Sequence, residues 1–367
     1  MKIGIITFHR TTNYGAALQA YALQKTLQNM GNDPELIDYR NMNIYSYYDP
    51  RFYRGLSFKT KIGKIFRYPY NAATFERFSF FWEKYLKLSS VCSNPEELRA
   101  VERAYDAVIC GSDQVWNPRA IFKDFEAFLL GTADCKKIAY AASAGNVSLW
   151  EPYLKIYWRL LHRFDAISVR EQEMQLPTEH LSQKNVEVVL DPTLLLEQSD
   201  WCEVEDSAFA EQLPSNGYIL VYFLGKNPAV VQAVHELQKK TGLPVFSLGR
   251  KISGIKAIRP IAGPAEFLTL FHRASYVLTS SFHGRVFSIQ YQKPFLVFGN
   301  GAYNSRMNTL LDAFGLQERM IGPETASVTE KMNSTICWEQ VQLRHAQEKQ
   351  HSLAFLQKAL NENEEEY

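Results

Sequence analysis

Short runs of β-forming apolar residues alternate with segments of helical period along most of the chain. The first half contains six such runs, at residues 2–8, 35–39, 105–110, 137–142, 166–169 and 186–190. A helix is predicted over 16–30, because Leu18, Ala22 and Leu23 recur at the spacing of one helical face. This alternation is typical of a parallel sheet whose strands are connected by helices.

The pattern restarts after residue 195. Further strands are predicted at 218–224, 244–248, 276–279 and 294–298, and helices at 229–241, 264–274, 283–291 and 338–360. The sequence therefore predicts an α/β fold of two Rossmann-like domains, residues 1–195 and 196–335, facing each other across a cleft. The remaining segment, 336–367, is predicted to be a helix followed by an acidic tail.

Composition and charge exclude several classes of protein. With 46% hydrophobic and 22% charged residues the chain is an ordinary globular one, and its net charge of +1 provides no general attraction to nucleic acid. The chain lacks an apolar run of 18 residues, and its opening apolar run ends at His9, so neither a membrane span nor a signal peptide is expected. The five cysteines are scattered along the chain, which argues against a disulfide framework or a zinc site. A protein of this kind is expected in the reducing cytoplasm.

An insertion at residues 45–90 is rich in basic and aromatic side chains. Between residues 51 and 75 it contains seven aromatic residues, six basic residues and no acidic residue. The basic ones are Arg51, Arg54, Lys59, Lys61, Lys64 and Arg67. This composition favours binding of an anionic saccharide or peripheral contact with a membrane surface. A helical cover packed by its own aromatic side chains is the alternative.

The turn after the first strand opens the first predicted helix. Asn13 is a candidate helix cap, and Gly15 permits close approach of a ligand to the backbone. Helix starts attract anions, but the turn lacks the glycine patterns of dinucleotide and P-loop sites. Asn13, Tyr14 and Gly15 are therefore candidates for substrate binding, and a capped helix start without a ligand is the alternative.

Polar residues also follow two later strands of the first half. Ser112 and Asp113 follow the strand at 105–110, where an aspartate can orient a hydroxyl group, act as a base or cap a helix. Arg170 follows the strand at 166–169, a position suited to bidentate capture of a phosphate or carboxylate. Pairing of Arg170 with its neighbour Glu171 at the surface is the alternative.

The turn from Thr279 to Arg285 combines several chemical groups at one strand end. Ser280 and Ser281 supply hydroxyls, and a helix is predicted to begin near His283 and Gly284. Histidine donates and accepts protons near neutral pH, so His283 is the candidate catalytic residue. A Gly-x-Ser-x-Gly turn is not present here, which argues against an α/β-hydrolase.

Taken in this order, these motifs resemble the polysaccharide pyruvyl transferase family. The resemblance rests on Asn13-Tyr14-Gly15-Ala16-Ala17-Leu18-Gln19-Ala20, Gly111-Ser112-Asp113-Gln114-Val115-Trp116-Asn117, Ser168-Val169-Arg170-Glu171, Asp191-Pro192-Thr193, Ser281-Phe282-His283-Gly284 and Lys293-Pro294-Phe295. It implies a GT-B-like architecture in which the C-terminal helix returns to the first domain. It also implies transfer of an enolpyruvyl unit from phosphoenolpyruvate to two hydroxyls of a sugar, which leaves a cyclic ketal and phosphate and needs neither metal nor cofactor.

The resemblance also implies roles for individual residues. His283 matches the family's histidine and is expected to protonate the methylene carbon of phosphoenolpyruvate. Arg170 matches its strand-end arginine. Many members carry Arg-Leu-His where this chain has Ser281-Phe282-His283, so Arg285 is expected to replace the missing donor-binding arginine. The phosphate and carboxylate are expected to bind at this helix start, and Asp113 or Asn13 to orient the acceptor.

The acceptor is expected to be a saccharide, free or lipid-linked, at the inner face of the membrane. Two other functions fit the same residues. One is a GT-B glycosyltransferase that binds the diphosphate of a nucleotide sugar through His283 and Arg285. The other is a non-catalytic saccharide-binding protein that acts through the basic and aromatic insertion.

Overall fold

The computed structural model describes residues 1–44, 49, 58–223, 228–249, 251–299, 304–322 and 328–361, with the backbone alone for 58–67 and 304–308. The chain divides into two compact units, residues 1–196 with 347–367 and residues 197–346. Each unit contains one parallel sheet accompanied by helices. The predicted α/β fold of two Rossmann-like domains is confirmed.

The first unit is built on six parallel strands. They are β1 (Lys2–Ile6), β2 (Asp33–Leu36), β3 (Ala107–Cys110), β4 (Lys136–Ala142), β5 (Ala166–Val169) and β6 (Val186–Val188). Their order in the sheet is β2-β1-β3-β4-β5-β6. All six predicted strands are confirmed, with ends that differ by up to three residues. They were recognisable because a parallel sheet covered on both faces requires nearly continuous apolar strands, as in β3, where every residue is buried.

Helices fill the connections of the first sheet. They are α1 (Tyr14–Asn29), α2 (Phe58–Tyr85), α3 (Pro95–Glu102), α4 (Phe125–Phe128), α5 (Leu154–Leu161) and α6 (Gln172–Ser182). Aromatic side chains form much of the core beneath them. Trp116 and Trp150 are almost fully buried, and the indole N–H of Trp150 donates to the Trp116 carbonyl at 3.0 Å.

The second unit is built on five parallel strands. They are β7 (Ile219–Phe223), β8 (Val245–Gly249), β9 (Tyr276–Thr279), β10 (Phe295–Phe298) and β11 (Met320–Ile321), in the order β11-β10-β9-β7-β8. Its helices are α7 (Gln198–Cys202), α8 (Ser207–Ala210), α9 (Pro228–Thr241), α10 (Pro264–Arg273), α11 (Phe282–Gln290), α12 (Asn304–Phe314), α13 (Val328–Asn333) and α14 (Trp338–Asn361), the last of which continues into the first unit. The four predicted strands are confirmed, and β11 is an additional edge strand of two residues.

The C-terminal half of α14 packs on the first sheet. The Ser352 hydroxyl accepts a hydrogen bond from the Leu190 N–H at 2.9 Å, and the Phe355 ring lies 6.3 Å from the ring of Tyr140. The Lys136 ammonium donates to the carbonyl of Leu360 at 3.2 Å. The predicted return of this helix to the first domain is confirmed. The acidic tail beyond residue 361 lies outside the described residues.

Only part of the basic and aromatic insertion belongs to the described residues. Positions 51–57 and the side chains of 58–67 lie outside them, and with them the basic residues proposed to contact a saccharide or membrane. In the described part of α2, Phe75 is buried and its ring meets that of Trp82 edge-on at 5.6 Å. Among the described helices, none combines the length and the apolar character needed to cross a bilayer.

Candidate active site

The turn between β9 and α11 is held together by two hydroxyl groups. The Thr279 hydroxyl donates to the carbonyl of Tyr222 at 2.8 Å and accepts from the Ser281 N–H at 3.0 Å. Ser281 caps α11, because its hydroxyl accepts from the N–H of Gly284 at 3.4 Å. Serine and threonine favour this geometry, since their short side chains satisfy the open N–H groups at a helix start.

Gly284 allows the start of α11 to pack directly against the end of β9. A β-carbon at this position would lie 2.1 Å from the Thr279 hydroxyl oxygen and 2.9 Å from the Thr279 β-carbon. Both atoms belong to a short side chain that is hydrogen-bonded on two sides, so it cannot move away at little cost. The close packing therefore fixes the backbone that carries His283.

His283 and Arg285 lie within the first turn of α11. The exposed fraction of His283 is 6%, and its ring meets the Phe282 ring edge-on at 5.1 Å. Arg285 is 1% exposed, its Nε donates to the Ser281 carbonyl at 3.2 Å, and its guanidinium lies 5.5 Å from the Phe282 ring centre. An imidazole, a guanidinium and a helix start thus share one turn, an arrangement that suits an anion that must also receive a proton.

The predicted residues of the second unit are therefore neighbours in the structure. Ser280 lies in the same turn, and its N–H donates to the Tyr222 carbonyl at 3.2 Å. Arg285 contacts the backbone of Ser281 through the hydrogen bond from its Nε. The catalytic role of His283 and the donor-binding roles of Ser280, Ser281, Gly284 and Arg285 remain predictions.

In the first unit, Arg170 lies in a buried network of carboxylates. Its Nε donates to Glu171 at 3.0 Å, its Nη1 donates to Asp191 at 2.9 Å, and the Ser112 hydroxyl donates to the same Asp191 oxygen at 2.8 Å. Burial alone lowers the pKa of the guanidinium, but Glu171, Asp191 and Asp113 outweigh burial and raise it. The pairing with Glu171 is thus observed, although it is buried and not at the surface; phosphate binding by Arg170 stays a prediction.

Asp113 has an unusual backbone. Its φ of 72° lies in the left-handed region that few residues other than glycine adopt, and such strain is concentrated at functional sites. Its carbonyl accepts hydrogen bonds from the N–H groups of Val115 and Ser143, at 2.8 and 3.0 Å, which hold the turn against the end of β4. The alternative role of Asp113 as a helix cap is wrong, because the next helix of the described chain begins only at Phe125.

The first turn combines a helix cap with aromatic packing. The Asn13 side chain accepts from the N–H groups of Gly15 and Ala16, at 3.1 and 3.4 Å, so its predicted capping of α1 is confirmed. Tyr14 is 6% exposed and its ring lies 5.2 Å from that of Phe78. Substrate binding by Asn13, Tyr14 and Gly15 stays a prediction.

A buried charge cluster next to this turn was not predicted from the sequence. Arg10 and Arg40 each donate two hydrogen bonds to Asp38, at 3.1 and 2.8 Å, and His9 lies 3.5 Å from the same carboxylate. Burial raises the pKa of Asp38, but these three partners outweigh burial and hold it far below its usual range. Asp38 was missed because it fell inside the predicted strand 35–39, whereas β2 ends at Leu36.

Part of this cluster lines a small cavity. The guanidinium groups of Arg10 and Arg40 both donate to Asp38, and the two arginines line the cavity together with His9, Tyr39 and Asn41. Both arginines follow strands of the same parallel sheet at their carboxyl ends, where ligands bind in such folds. The available signal was an arginine four residues after the end of each of the first two strands.

Comparison with known proteins supports both the family and the fold. A family model described as polysaccharide pyruvyl transferase matches residues 13–302. A UDP-GlcNAc 2-epimerase from Neisseria meningitidis bound to UDP-GlcNAc is similar in structure, with a TM-score of 0.55, 10% identity and coverage of 99% of this chain and 100% of that one. An S. aureus MnaA–UDP co-structure has a TM-score of 0.55, 14% identity and coverage of 100% and 99%. No curated protein sequence matches the chain. At these identities the structural likeness shows the fold alone.

Proposed function

Because the chain belongs to the polysaccharide pyruvyl transferase family, we propose that it transfers the pyruvyl group of phosphoenolpyruvate to a saccharide. The product is a ketal on a precursor of a capsule or another cell-surface or exported polysaccharide. The observation that carries the proposal is the turn around His283, where an imidazole and a guanidinium share a capped helix start. Such a turn suits a donor that has two anionic groups and needs a proton.

The proposed reaction requires two additions to one carbon atom. The first sugar hydroxyl adds to C2 of phosphoenolpyruvate while the methylene carbon takes up a proton, and the C2–phosphate bond then breaks. The second hydroxyl adds to the same carbon and closes the ketal. The two sugar hydroxyls lose one proton each. One of these protons replaces the proton that the methylene carbon took from the acid, and the other leaves on the hydrogen phosphate. An acid at the methylene carbon therefore accelerates the first step.

In the second unit we assign this acid to His283. Its low exposure keeps bulk water away from the ring, which strengthens electrostatic interactions with a bound anion. The N–H groups of Ser280, Ser281 and Gly284 already bond within the turn, so the hydroxyls of Ser280 and Ser281 and the positive end of the helix dipole are our candidates for contacts with the phosphate or carboxylate. Arg285 contributes positive charge one residue beyond Gly284.

In the first unit we assign contacts with the acceptor. Asp113 is our candidate for orienting a hydroxyl or accepting its proton, supported by its strained backbone at a strand end. Arg170 and Ser112 hold the carboxylates of this region in place, since both bond to Asp191. Further candidates for acceptor contacts are Asn13, Tyr14 and Gly15.

The proposal includes a cytoplasmic location, either free or at the inner face of the membrane. It is supported by the five cysteines, none of which forms a disulfide. A lipid-linked acceptor would bring the enzyme to the bilayer, and the basic and aromatic sequence over 51–75 suits that contact. Cosedimentation with vesicles containing anionic lipid tests this part of the proposal separately.

The experiment is a screen of phosphoenolpyruvate against free and lipid-linked sugar acceptors. We expect phosphate release only when an acceptor is present, with a matching mass gain of one pyruvyl group on the acceptor. His283→Ala should abolish turnover while circular dichroism shows a retained fold. His235→Ala is the matched control, because His235 is an exposed histidine of the same unit, and it should turn over normally.

Three results would contradict parts of this proposal. Normal turnover in His283→Ala excludes this residue as the acid. Consumption of a uridine diphosphate sugar, with phosphoenolpyruvate untouched, identifies a glycosyltransferase. Saccharide binding that survives His283→Ala, without turnover of either donor by the parent protein, identifies a non-catalytic binding protein.

A further inference from the structure

A cysteine, a glutamate and a histidine meet at the surface of the second unit, on elements other than the turn around His283. Cys202 is the last residue of α7, Glu205 follows it by three residues, and His272 lies in the last turn of α10. One potential ligand atom from each of the three side chains lies within 4.8 Å of the other two. The imidazole Nδ1 is already 2.9 Å from a Glu205 oxygen.

A fourth residue holds two of these side chains in position. The Tyr291 hydroxyl donates to Glu205 at 2.9 Å. The Tyr291 ring also stacks on His272, with a centroid distance of 4.7 Å and an interplanar angle of 7°. Outer contacts of this kind orient the ligands of natural metal sites, and their loss typically lowers metal affinity 10- to 100-fold.

The three side chains of the cluster differ in their exposure to solvent. Cys202 is exposed, whereas the Glu205 side chain is 12% and the His272 side chain 31% exposed. Metal–ligand bonds of about 2.0 to 2.3 Å require the ligand atoms to approach to roughly 3.5 Å of one another. The Glu205–His272 pair is hydrogen-bonded at 2.9 Å, closer than two ligands of one ion, so the carboxylate has to shift slightly away from the imidazole while the exposed thiol approaches.

The donor set decides which ion fits. Thiolate sulfur and imidazole nitrogen are ligands of zinc and related transition metals, while magnesium and calcium require oxygen ligands. Although the cysteine spacing argued against a zinc site, we propose that Cys202, Glu205 and His272 bind one zinc ion, with a fourth coordination position open to water or to a ligand in solution. Binding breaks the hydrogen bond between His272 and Glu205 and forms bonds of both residues to the ion. The thiol proton of Cys202 is released to solvent, and the bound imidazole carries its proton on Nε2.

Such a site would act separately from the proposed pyruvyl transfer. Its ligands join the end of α7 to the end of α10, so bound zinc would stabilise the second unit by mass action. Zinc would therefore raise the midpoint of thermal unfolding. It would do so whether or not phosphoenolpyruvate is a substrate.

The test is a zinc titration of the full-length, tag-free protein against a chromophoric competitor. We expect one zinc per chain in the parent protein, and at least a tenfold loss of affinity in Cys202→Ser. Because Cys202 is exposed, this variant should fold normally. Cys337→Ser is the matched control, since Cys337 is also exposed and belongs to the same unit, and it should bind zinc like the parent.

Cobalt provides an independent readout of the ligands. Cobalt-loaded parent protein should show a thiolate-to-cobalt charge-transfer band that is absent from Cys202→Ser, and His272→Ala should lower the affinity for both metals. Absence of stoichiometric zinc binding by the parent would overturn the proposal. Equal zinc binding by parent and Cys202→Ser would overturn it as well, as would competition by magnesium.

Discussion

The packing of Gly284 against Thr279 leads to a quantitative prediction for Gly284→Ala. The added methyl group would lie 2.1 Å from the Thr279 hydroxyl oxygen, far inside van der Waals contact. Overpacking of this kind costs about 1–3 kcal/mol, and a contact this short belongs at the upper end. Alanine in a helix favours folding by roughly 0.5–1 kcal/mol relative to glycine. We therefore expect a net loss of about 2 kcal/mol in the free energy of unfolding.

The assay is equilibrium unfolding in urea, followed by circular dichroism. Gly322→Ala is the matched control, because Gly322 lies in the same unit and a β-carbon there would have no atom of the described residues within 4 Å. This control should change the free energy of unfolding by no more than about 1 kcal/mol, in the stabilising direction. The two substitutions add the same methyl group, so their difference isolates the contact with Thr279.

The same substitution in a Thr279→Ala background tests whether the contact with Thr279 causes the loss of stability. Thr279→Ala removes the hydroxyl oxygen, which is the atom nearest to the added carbon, and the methyl group at 3.2 Å, and it keeps the β-carbon at 2.9 Å. Gly284→Ala should cost less in this background, with a coupling of about 1 kcal/mol or more. The reasoning is refuted if Gly284→Ala costs the same in both backgrounds, or if it is as harmless as Gly322→Ala.

Two further predictions concern buried charges of the first unit. Burial raises the pKa of Glu102 to about 7, so its contribution to stability is complete below pH 4.5 and is lost as the pH rises through 7. The free energy of unfolding of Glu102→Gln, measured in urea, should therefore be about 3 kcal/mol higher than that of the parent at pH 8 and almost equal to it at pH 4. The same difference at both pH values would contradict this prediction. Asp191→Asn leaves the Arg170 guanidinium with less compensating charge and should lower the free energy of unfolding by about 3 kcal/mol. The exposed Arg159–Glu126 pair is the control, and Glu126→Gln should change stability by less than about 1 kcal/mol.

The sequence predicts the sheets better than the helices that cover them. Strands such as β3 and β7 are apolar at every position, and this pattern is visible without knowledge of the fold. Helix α6 was not predicted, because Pro177 lies inside it and proline normally argues against a helix interior. Edge strand β11, with two residues, is too short to produce a recognisable pattern.

The local part of the candidate site was predictable, and its long-range part was not. The turn around His283 is contiguous in sequence, so its hydroxyls, its histidine and its helix start were found together. The partners of Arg170 depend on tertiary structure, because Asp191 lies 21 residues away in sequence. The bond from Arg10 to Asp38 likewise requires β1 and β2 to be adjacent.

The return of α14 to the first sheet affects the order in which the protein folds during synthesis. Ser352 and Leu356 become fully buried against a unit whose other residues, 1–196, leave the ribosome much earlier. All residues of the second unit, 197–346, are translated in between, which takes on the order of ten seconds. Throughout that interval the Leu190 N–H and the surface around Tyr140 lack their native cover. The domain that begins first is thus completed last, and the nascent chain exposes an apolar surface to which chaperones can bind.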